Sequence, residues 1–401
     1  YGAGSALEGH FYSTRKGLVI DMLKMDKVLL VNHEDQDAVV QSGVNWVKLN
    51  EELQGYGLLM GCDCGPLAKI GGMVATNALG INATNYGSMN SNVISVTAVM
   101  ADGTIVKTRQ RPRKSSAGYN LTQLFIGSEG TLGIVTEVTV KLHVLPQHET
   151  VVVTQFQTIQ EATDTVTQLF QLGIRPGAIE LLDERSIHCL NYLGYFSRPW
   201  LEVPTLFFKL GGLNSTVVKE HSKELSRIAK TNGAKSIIIA KDEAEGAELF
   251  SARKNIFYLM IDYGKNEIDE NVRIWVTDIA VPISRLLPVL GQVHKLIVDL
   301  GFEYVILGHV GDGNFHADIY YTDDQLAKVE SVVDKMMELG LQNEGTSLGE
   351  HGIGNGKRHY LRRELGDNAV DLMRKLKFAV DPKRILNPDK VFKIDPNDPH
   401  P

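Results

Sequence analysis

Two histidines close together in the sequence suit metal binding by their type and spacing. They lie in Gly308-His309-Val310-Gly311-Asp312-Gly313-Asn314-Phe315-His316, where β-prone runs flank Gly311–Asn314 and predict a hairpin. A symmetric register, in which paired residue numbers add to 625, places His309 opposite His316, with their Cβ atoms roughly 4.5–5.5 Å apart. Asp318 then lies diagonally adjacent on the same face. The pattern predicts a shared divalent cation; the alternative is a pair of hydrogen-bonded histidines on a sheet face.

A second run, Gly349–Lys357, adds two further candidate functional groups. Glu350 could supply a carboxylate as third metal ligand, which would leave one coordination position open, as in catalytic sites. The adjacent His351 is a candidate proton acceptor, because imidazole titrates near neutral pH. Gly356-Lys357 does not continue as a phosphate-binding loop, since Arg358 stands where Ser or Thr is required.

Length, charge and cysteine content exclude several classes of protein. The chain has 401 residues, with 41 Lys and Arg against 48 Asp and Glu, and such an acidic chain is a poor nucleic-acid binder. No apolar stretch approaches 18 residues, so we expect no transmembrane segment. Three cysteines (Cys62, Cys64 and Cys189) are too few for a disulfide framework and are expected to be reduced. The chain begins with tyrosine inside a glycine-rich loop, so we expect a fragment without its natural start and any targeting peptide.

The 38 glycines are unevenly distributed, with 18 in residues 1–135, 10 in residues 301–356 and 9 in residues 136–300. Backbone N–H groups in glycine-rich loops can bind a pyrophosphate, although any single loop could be only a tight turn. No Gly-x-Gly-x-x-Gly occurs, so a Rossmann nicotinamide site has no fingerprint here. The candidate loops are Gly2–Gly9, Gly65–Asn77, Tyr86–Ser88 and Gly127–Thr136.

The elements that must position these residues are short strands and amphipathic helices. In the first region we predict strands at Leu18–Met22, Lys27–Val31, Val93–Met100 and Gly133–Leu142, with a hairpin turn at Asp102-Gly103. From Thr150 to Lys241 strands and helices alternate, which indicates an α+β sheet with helices on one face. The predicted strands there are 151–157, 205–210 and 236–240. The predicted helices are 160–172, 217–231, 244–262, 284–300, 323–340 and 368–378.

The four glycine loops, in this order, resemble the FAD-binding domain of vanillyl-alcohol-oxidase-type flavoproteins. The two histidine motifs resemble the FAD-dependent D-2-hydroxyacid dehydrogenase branch of that family. The resemblance implies an α+β fold with a FAD-binding domain of vanillyl-alcohol-oxidase (PCMH) type at residues 1–145, whose N-terminal subdomain is missing. It also implies a ferredoxin-like cap, or substrate and metal-binding domain, at 146–378. Residues 379–401 would form a tail that returns to the FAD-binding domain.

The same resemblance assigns roles to individual residues. His309, His316 and Glu350 would bind a divalent metal, zinc or manganese, His351 would act as general base, and Arg253 would bind the substrate carboxylate. The implied FAD contacts are Gly2, Gly4, Ser5, Gly65, Pro66, Ile70, Gly71, Gly72, Ala75, Thr76, Tyr86, Gly87, Glu129, Gly130, Gly133, Ile134 and Asn387.

The activity implied is mitochondrial oxidation of D-lactate, or a similar D-2-hydroxy acid, to the keto acid. The hydride would pass to flavin, and cytochrome c would accept the electrons. One alternative is a D-2-hydroxyglutarate dehydrogenase, but Trp275-Val276 stands where that enzyme carries a lysine for the second carboxylate. Another is a flavin-free metallohydrolase, which leaves the four glycine loops unexplained.

Overall fold

The structure, a computed structural model, describes residues 1–195 and 199–396. It divides into two compact units, one formed by Tyr1–Leu145 together with the chain from Glu350 onward, the other by Pro146–Gly349. The first division coincides with the predicted boundary at 145/146. The second division lies at 349/350, so that helix Arg358–Val380 is part of the first unit. The resemblance implied this boundary at residue 378 instead. The division of the chain into a FAD-binding and a substrate domain stays a prediction.

The elements of the described residues are numbered in chain order. The strands are β1 (Val28–Asn32), β2 (Asp37–Gln41), β3 (Leu58–Leu59), β4 (Val93–Val99), β5 (Ile105–Lys107), β6 (Ile134–Lys141), β7 (His143–Val144), β8 (His148–Gln155), β9 (Ala178–Leu182), β10 (Thr205–Gly212), β11 (Ser236–Ile239), β12 (Arg273–Trp275), β13 (Ile279–Ala280), β14 (Tyr304–Gly308) and β15 (Asn314–Tyr321). The α-helices are α1 (Trp46–Leu53), α2 (Ile70–Thr76), α3 (Ala83–Tyr86), α4 (Met89–Asn92), α5 (Leu121–Phe125), α6 (Ile159–Gln171), α7 (Glu184–Tyr192), α8 (Ser215–Thr231), α9 (Glu243–Glu267), α10 (Ile283–Asp299), α11 (Leu326–Gln342) and α12 (Arg358–Val380).

The first unit is built on an antiparallel sheet of order β1-β2-β6-β4-β5. Apolar residues of its central strands, such as Val96 and Val138, are buried together with Ile70 of α2. The predicted strand at Leu18–Met22 is wrong, because β-prone residues form a strand only when a neighbouring strand pairs with them. This segment has no such ladder, and its first residue is 88% exposed. The tail contacts the same unit, since Lys390 Nζ donates to the Tyr12 carbonyl over 2.7 Å.

The second unit is built on a larger antiparallel sheet of order β11-β8-β10-β9-β14-β15-β12. Along the chain, the first four strands of this order alternate with helices as β8, α6, β9, α7, β10, α8 and β11. Their spatial order is that of a ferredoxin-like βαββαβ unit. The predicted α+β class and ferredoxin-like cap are therefore confirmed. The hairpin β14–β15 extends this sheet on the side of β9, which places the two histidines beside that strand.

Local capping explains why helices α6, α8 and α9 of this unit begin within two residues of their predicted starts. Thr158 and Glu161 form a reciprocal capping box at α6. The Asp242 side chain accepts a hydrogen bond from the Glu245 N–H (2.9 Å) at the start of α9. Helix α9 then continues to Glu267 and carries Arg253 in its middle.

Of the helices in the described part of the chain, none has the length and apolar character needed to cross a membrane.

Candidate active site

The two histidines lie at the end of the β14–β15 hairpin, in a register that differs from the predicted one. Leu307, rather than His309, is opposite His316, and Val305 is opposite Asp318. The predicted direct pairing of the histidines is wrong because the turn takes residues 310–313, and His309 stands just beyond the last strand pair. A shift of two residues keeps both side chains on one face. The two rings remain adjacent, with their centroids 5.9 Å apart and their planes at 89°.

Hydrogen bonds fix which ring nitrogen of each histidine carries the proton. Nδ1 of His309 lies 2.7 Å from a carboxylate oxygen of Glu180, and Nδ1 of His316 lies 2.7 Å from the carbonyl oxygen of Thr277. Because both partners can only accept, each Nδ1 donates and each ring presents its lone pair at Nε2. This is the arrangement that partner groups impose on metal-binding histidines.

Glu350 brings a carboxylate to the two histidines, because the residue before it packs against the hairpin. The preceding residue, Gly349, packs so closely on the hairpin that an added Cβ atom would lie 2.4 Å from Nδ2 of Asn314. One potential ligand atom from each of His309, His316 and Glu350 lies within 4.8 Å of the others. Two imidazole nitrogens and one carboxylate oxygen are a donor set that fits zinc or manganese.

Arg253, the predicted substrate-binding residue, lies in the same unit but has a protein partner. Its guanidinium Nε is 2.7 Å from the second carboxylate oxygen of Glu180, and both side chains are buried. The sequence analysis missed Glu180. Glu180 is the one charged residue in the fully buried strand β9. A charged residue among buried apolar ones is the sequence signal that could have identified it.

His351 lies in a loop that Glu129 holds in place. The Glu129 carboxylate accepts hydrogen bonds from the N–H groups of Ile353 (2.7 Å) and Gly354 (2.8 Å), and its Oε1 is 3.2 Å from Nε2 of His10. Glu129 was predicted to contact FAD, a role that stays a prediction. Its position shows that it also fixes the backbone next to His351.

The four glycine loops come together around helix α2. The first loop reaches the start of α2, where an added Cβ on Gly2 would lie 3.1 Å from Cβ of Lys69. The Ser88 hydroxyl of the third loop donates to the side-chain oxygen of Asn77 over 3.0 Å. The fourth loop is joined to the end of α2, because Glu129 N donates to the carbonyl of Ala75 over 2.8 Å.

Asn387 connects the tail to this cluster, because its side-chain amide donates to the Glu129 carbonyl over 2.6 Å. Of the predicted cofactor glycines, Gly65 and Gly72 face open space, since an added Cβ at either would meet no other residue within 4 Å. Gly71 and Gly133 are instead packed against protein, 2.6 Å and 2.8 Å from the nearest side-chain atom. Converging loops with bare backbone at two open glycines fit a dinucleotide such as FAD.

The other predicted cofactor residues take several positions in the same unit. Gly4, Gly87 and Gly130 have positive φ, which favours glycine. Ser5 and Pro66 are exposed, Ile70 is buried, the Thr76 hydroxyl donates to the Gly72 carbonyl, and Ile134 begins β6.

Tyr86 lies against a histidine that is held neutral. Its ring centroid is 4.5 Å from that of His143, whose Nε2 contacts the side-chain oxygen of Asn92 at 2.7 Å. Burial lowers the pKa of His143 to about 4, and the positive charges of Lys141 and Arg113 add to the effect.

Burial also keeps the thiols of Cys62 and Cys64 protonated, since it raises the pKa of both.

Two family matches cover most of the chain. Residues 1–109 match the family described as "FAD binding domain". Residues 145–391 match "FAD linked oxidases, C-terminal domain". The predicted FAD cofactor is therefore confirmed.

Relatives along the whole chain carry consistent names. The chain is 48% identical over 402 residues to "D-lactate dehydrogenase [cytochrome], mitochondrial" of Kluyveromyces lactis, and covers 70% of that protein with 99% of its own length. It is 48% identical over 404 residues to "D-lactate dehydrogenase [cytochrome] 1, mitochondrial" of Saccharomyces cerevisiae, covering 69% of it with 100% of its own length.

The fold is shared with solved structures of low sequence identity. Alkyldihydroxyacetonephosphate synthase aligns with a TM-score of 0.72 at 21% identity, over 97% of this chain and 70% of that one. Substrate-bound p-cresol methylhydroxylase aligns with a TM-score of 0.71 at 17% identity, over 94% and 80% of the two chains. The predicted PCMH-type fold is confirmed. With both family matches and relatives at 48% identity along its whole length, the chain belongs to the FAD-linked oxidases.

Proposed function

We propose that this protein is a mitochondrial FAD-dependent D-lactate dehydrogenase that passes electrons to cytochrome c. The relatives at 48% identity, both named as mitochondrial cytochrome-type D-lactate dehydrogenases, support the substrate, the acceptor and the location. The observation that carries the proposal is the His309–His316–Glu350 cluster. Its histidines are held at Nδ1 and present Nε2, as metal-binding histidines do.

In this proposal the chain's own residues bind the substrate and remove its hydroxyl proton. His309, His316 and Glu350 would hold a divalent cation, zinc or manganese. The cation, when bound, supplies the Lewis acidity that makes a coordinated hydroxyl easier to deprotonate. His351 would take that proton as general base. Arg253 would hold the substrate carboxylate with its Nη atoms, while its Nε remains on Glu180.

FAD, when bound, would supply the redox chemistry as the hydride acceptor for the conversion of D-lactate into pyruvate. In the flavin-binding unit, the backbone at Gly65 and Gly72 and the loop at Gly130 would hold the dinucleotide. The proposed metal and substrate residues lie in the second matched region (145–391), whereas Gly65 and Gly72 lie in the first (1–109).

The alternative substrate, D-2-hydroxyglutarate, carries a second carboxylate that needs a cation. Trp275 and Val276 precede Thr277, whose carbonyl holds His316, so the predicted selectivity segment lies next to a proposed metal ligand. Neither side chain could balance a charge, which favours a short methyl-bearing acid. The flavin-free metallohydrolase is set aside, because residues 1–109 match a FAD-binding domain.

The proposal is tested by turnover of the purified flavoprotein on D-lactate, L-lactate and D-2-hydroxyglutarate. Bleaching of the flavin absorbance by each acid is recorded first without an electron acceptor, and reduction of cytochrome c is recorded second. We expect D-lactate to bleach the flavin fastest and to support cytochrome c reduction. A higher kcat/KM for D-2-hydroxyglutarate would reverse the assignment, and bleaching without cytochrome c reduction would remove the proposed acceptor.

A further inference from the structure

We propose that Glu180 is a positioning residue that joins the metal site to the substrate-carboxylate site. One carboxylate oxygen is 2.7 Å from Nδ1 of the metal-ligand candidate His309, and the other is 2.7 Å from Nε of Arg253. A single side chain thereby fixes two groups to which the proposed function gives different tasks. The inference rests on that proposed function.

Strand pairing brings the three residues together although they are far apart in sequence. In the β9–β14 ladder Leu307 pairs with Leu182 and Gly308 with Leu181, so continuing the register places His309 across from Glu180. Arg253 reaches the same carboxylate from helix α9, which is otherwise packed on this unit by apolar residues. The contacts of Glu180 therefore join strand β9, helix α9 and the turn that follows β14.

The surroundings of Glu180 give no structural reason for a carboxylate there. Its side chain has no exposed surface, and its neighbours in β9, including Ile179 and Leu181, are buried and apolar. A buried charge is costly unless it is paired and hydrogen-bonded, and an apolar residue would fill a strand interior at no such cost. The hydrogen bond from His309 and the ion pair with Arg253 indicate that the carboxylate serves its partners.

Each contact constrains its partner in a way that matters for binding. By accepting from Nδ1 of His309, Glu180 orients that ring and sets the lone pair on Nε2, as carboxylate partners of metal-binding histidines do. By pairing with Nε of Arg253, it fixes the rotation of the guanidinium, so that the plane of the Nη atoms is set before a carboxylate arrives. Metal affinity and substrate affinity should therefore both depend on Glu180.

The test is titration of chelator-treated, flavin-loaded protein with zinc and with manganese, followed by calorimetry. Glu180→Gln keeps the shape but replaces one acceptor oxygen by an NH₂ donor. Glu180→Asp keeps the charge but draws it back by one methylene from both partners. Glu184→Gln, at a glutamate four residues on whose side chain is 42% exposed and, among the described residues, is paired with neither His309 nor Arg253, is the matched control. Circular dichroism checks the fold of each variant.

We expect both Glu180 variants to weaken metal binding about 10–100-fold and the control to bind like the parent, the range seen when an outer partner of a metal ligand is lost. In steady-state kinetics, KM for D-lactate should also rise in both variants and stay unchanged in Glu184→Gln. Parental metal affinity in a folded Glu180 variant would overturn the inference. If the parent itself binds neither metal, the proposed metal site is wrong, which is a different failure.

Discussion

Replacing Glu129 with glutamine should loosen the loop that carries His351 without emptying the flavin site. The carboxylate accepts from two backbone N–H groups, those of Ile353 and Gly354, at 2.7 and 2.8 Å. Hydrogen bonds to a charged group contribute about 1.5–3 kcal/mol each. Glutamine keeps one acceptor oxygen but turns an NH₂ donor toward the other N–H group. We expect a local loss of about 2–4 kcal/mol, because one bond is weakened and one is broken.

The consequence is measured as the rate of flavin bleaching by D-lactate in a rapid-mixing instrument. A loop destabilised by about 2–4 kcal/mol should hold His351 in position less often. Because about 1.36 kcal/mol corresponds to a factor of ten, bleaching should slow by up to about 30–900-fold. Flavin content, taken from the visible spectrum of the purified protein, should stay at the parental value. Glu52→Gln, at an exposed position on α1, is the matched control.

Two results would refute this reasoning. If Glu129→Gln bleaches at the parental rate, the carboxylate does not position His351. If the variant is purified without flavin while the control keeps it, Glu129 is primarily a FAD contact, as the sequence analysis predicts.

Three further predictions follow from the proposed roles and from one shifted pKa. His351→Ala should keep both metal and FAD but slow flavin reduction about 10²–10⁴-fold, the usual range for loss of a general base; loss of the metal would make His351 a ligand instead. Val276→Lys should raise kcat/KM for D-2-hydroxyglutarate relative to D-lactate, because it places a cation beside the segment that holds His316; an unchanged ratio would remove this segment from substrate selection. The folded protein keeps His143 neutral, with a pKa of about 4 against 6.5 when unfolded, so stability should fall as the pH is lowered through that interval. The expected effect is about 1–2 kcal/mol after allowance for solvent screening, and thermal unfolding of His143→Gln should depend less on pH there than that of the parent.

The sequence predicted those parts of the fold that local patterns determine. Periodic helices such as α6 and α8 were placed to within two residues, because their apolar spacing and their N-caps are local signals. The Leu18–Met22 strand failed, since β-prone residues without a neighbouring strand have no ladder to join. The hairpin register failed by two residues, because turn length depends on the backbone path at Gly313 (φ 73°), which residue types do not fix.

The candidate site was predicted where its residues stand in contiguous motifs and missed where they do not. His309, His316 and Glu350 come from two short motifs, and the structure brings their ligand atoms together. Glu180 is 129 residues from His309 and belongs to no motif, so only the strand pairing places it there. The carboxylate of Glu129 likewise meets backbone more than 200 residues further along, which no local pattern could indicate.

The most direct test of the central claim is the metal and flavin content of the His309→Ala/His316→Ala double variant, measured together on one preparation by elemental analysis and visible absorbance. The double variant should retain its flavin, because the glycine loops and Asn387 are untouched. It should contain no bound zinc or manganese, and D-lactate should fail to bleach it. Full metal occupancy in the double variant would contradict the proposed ligand set, as would parental bleaching in a variant that has lost the metal.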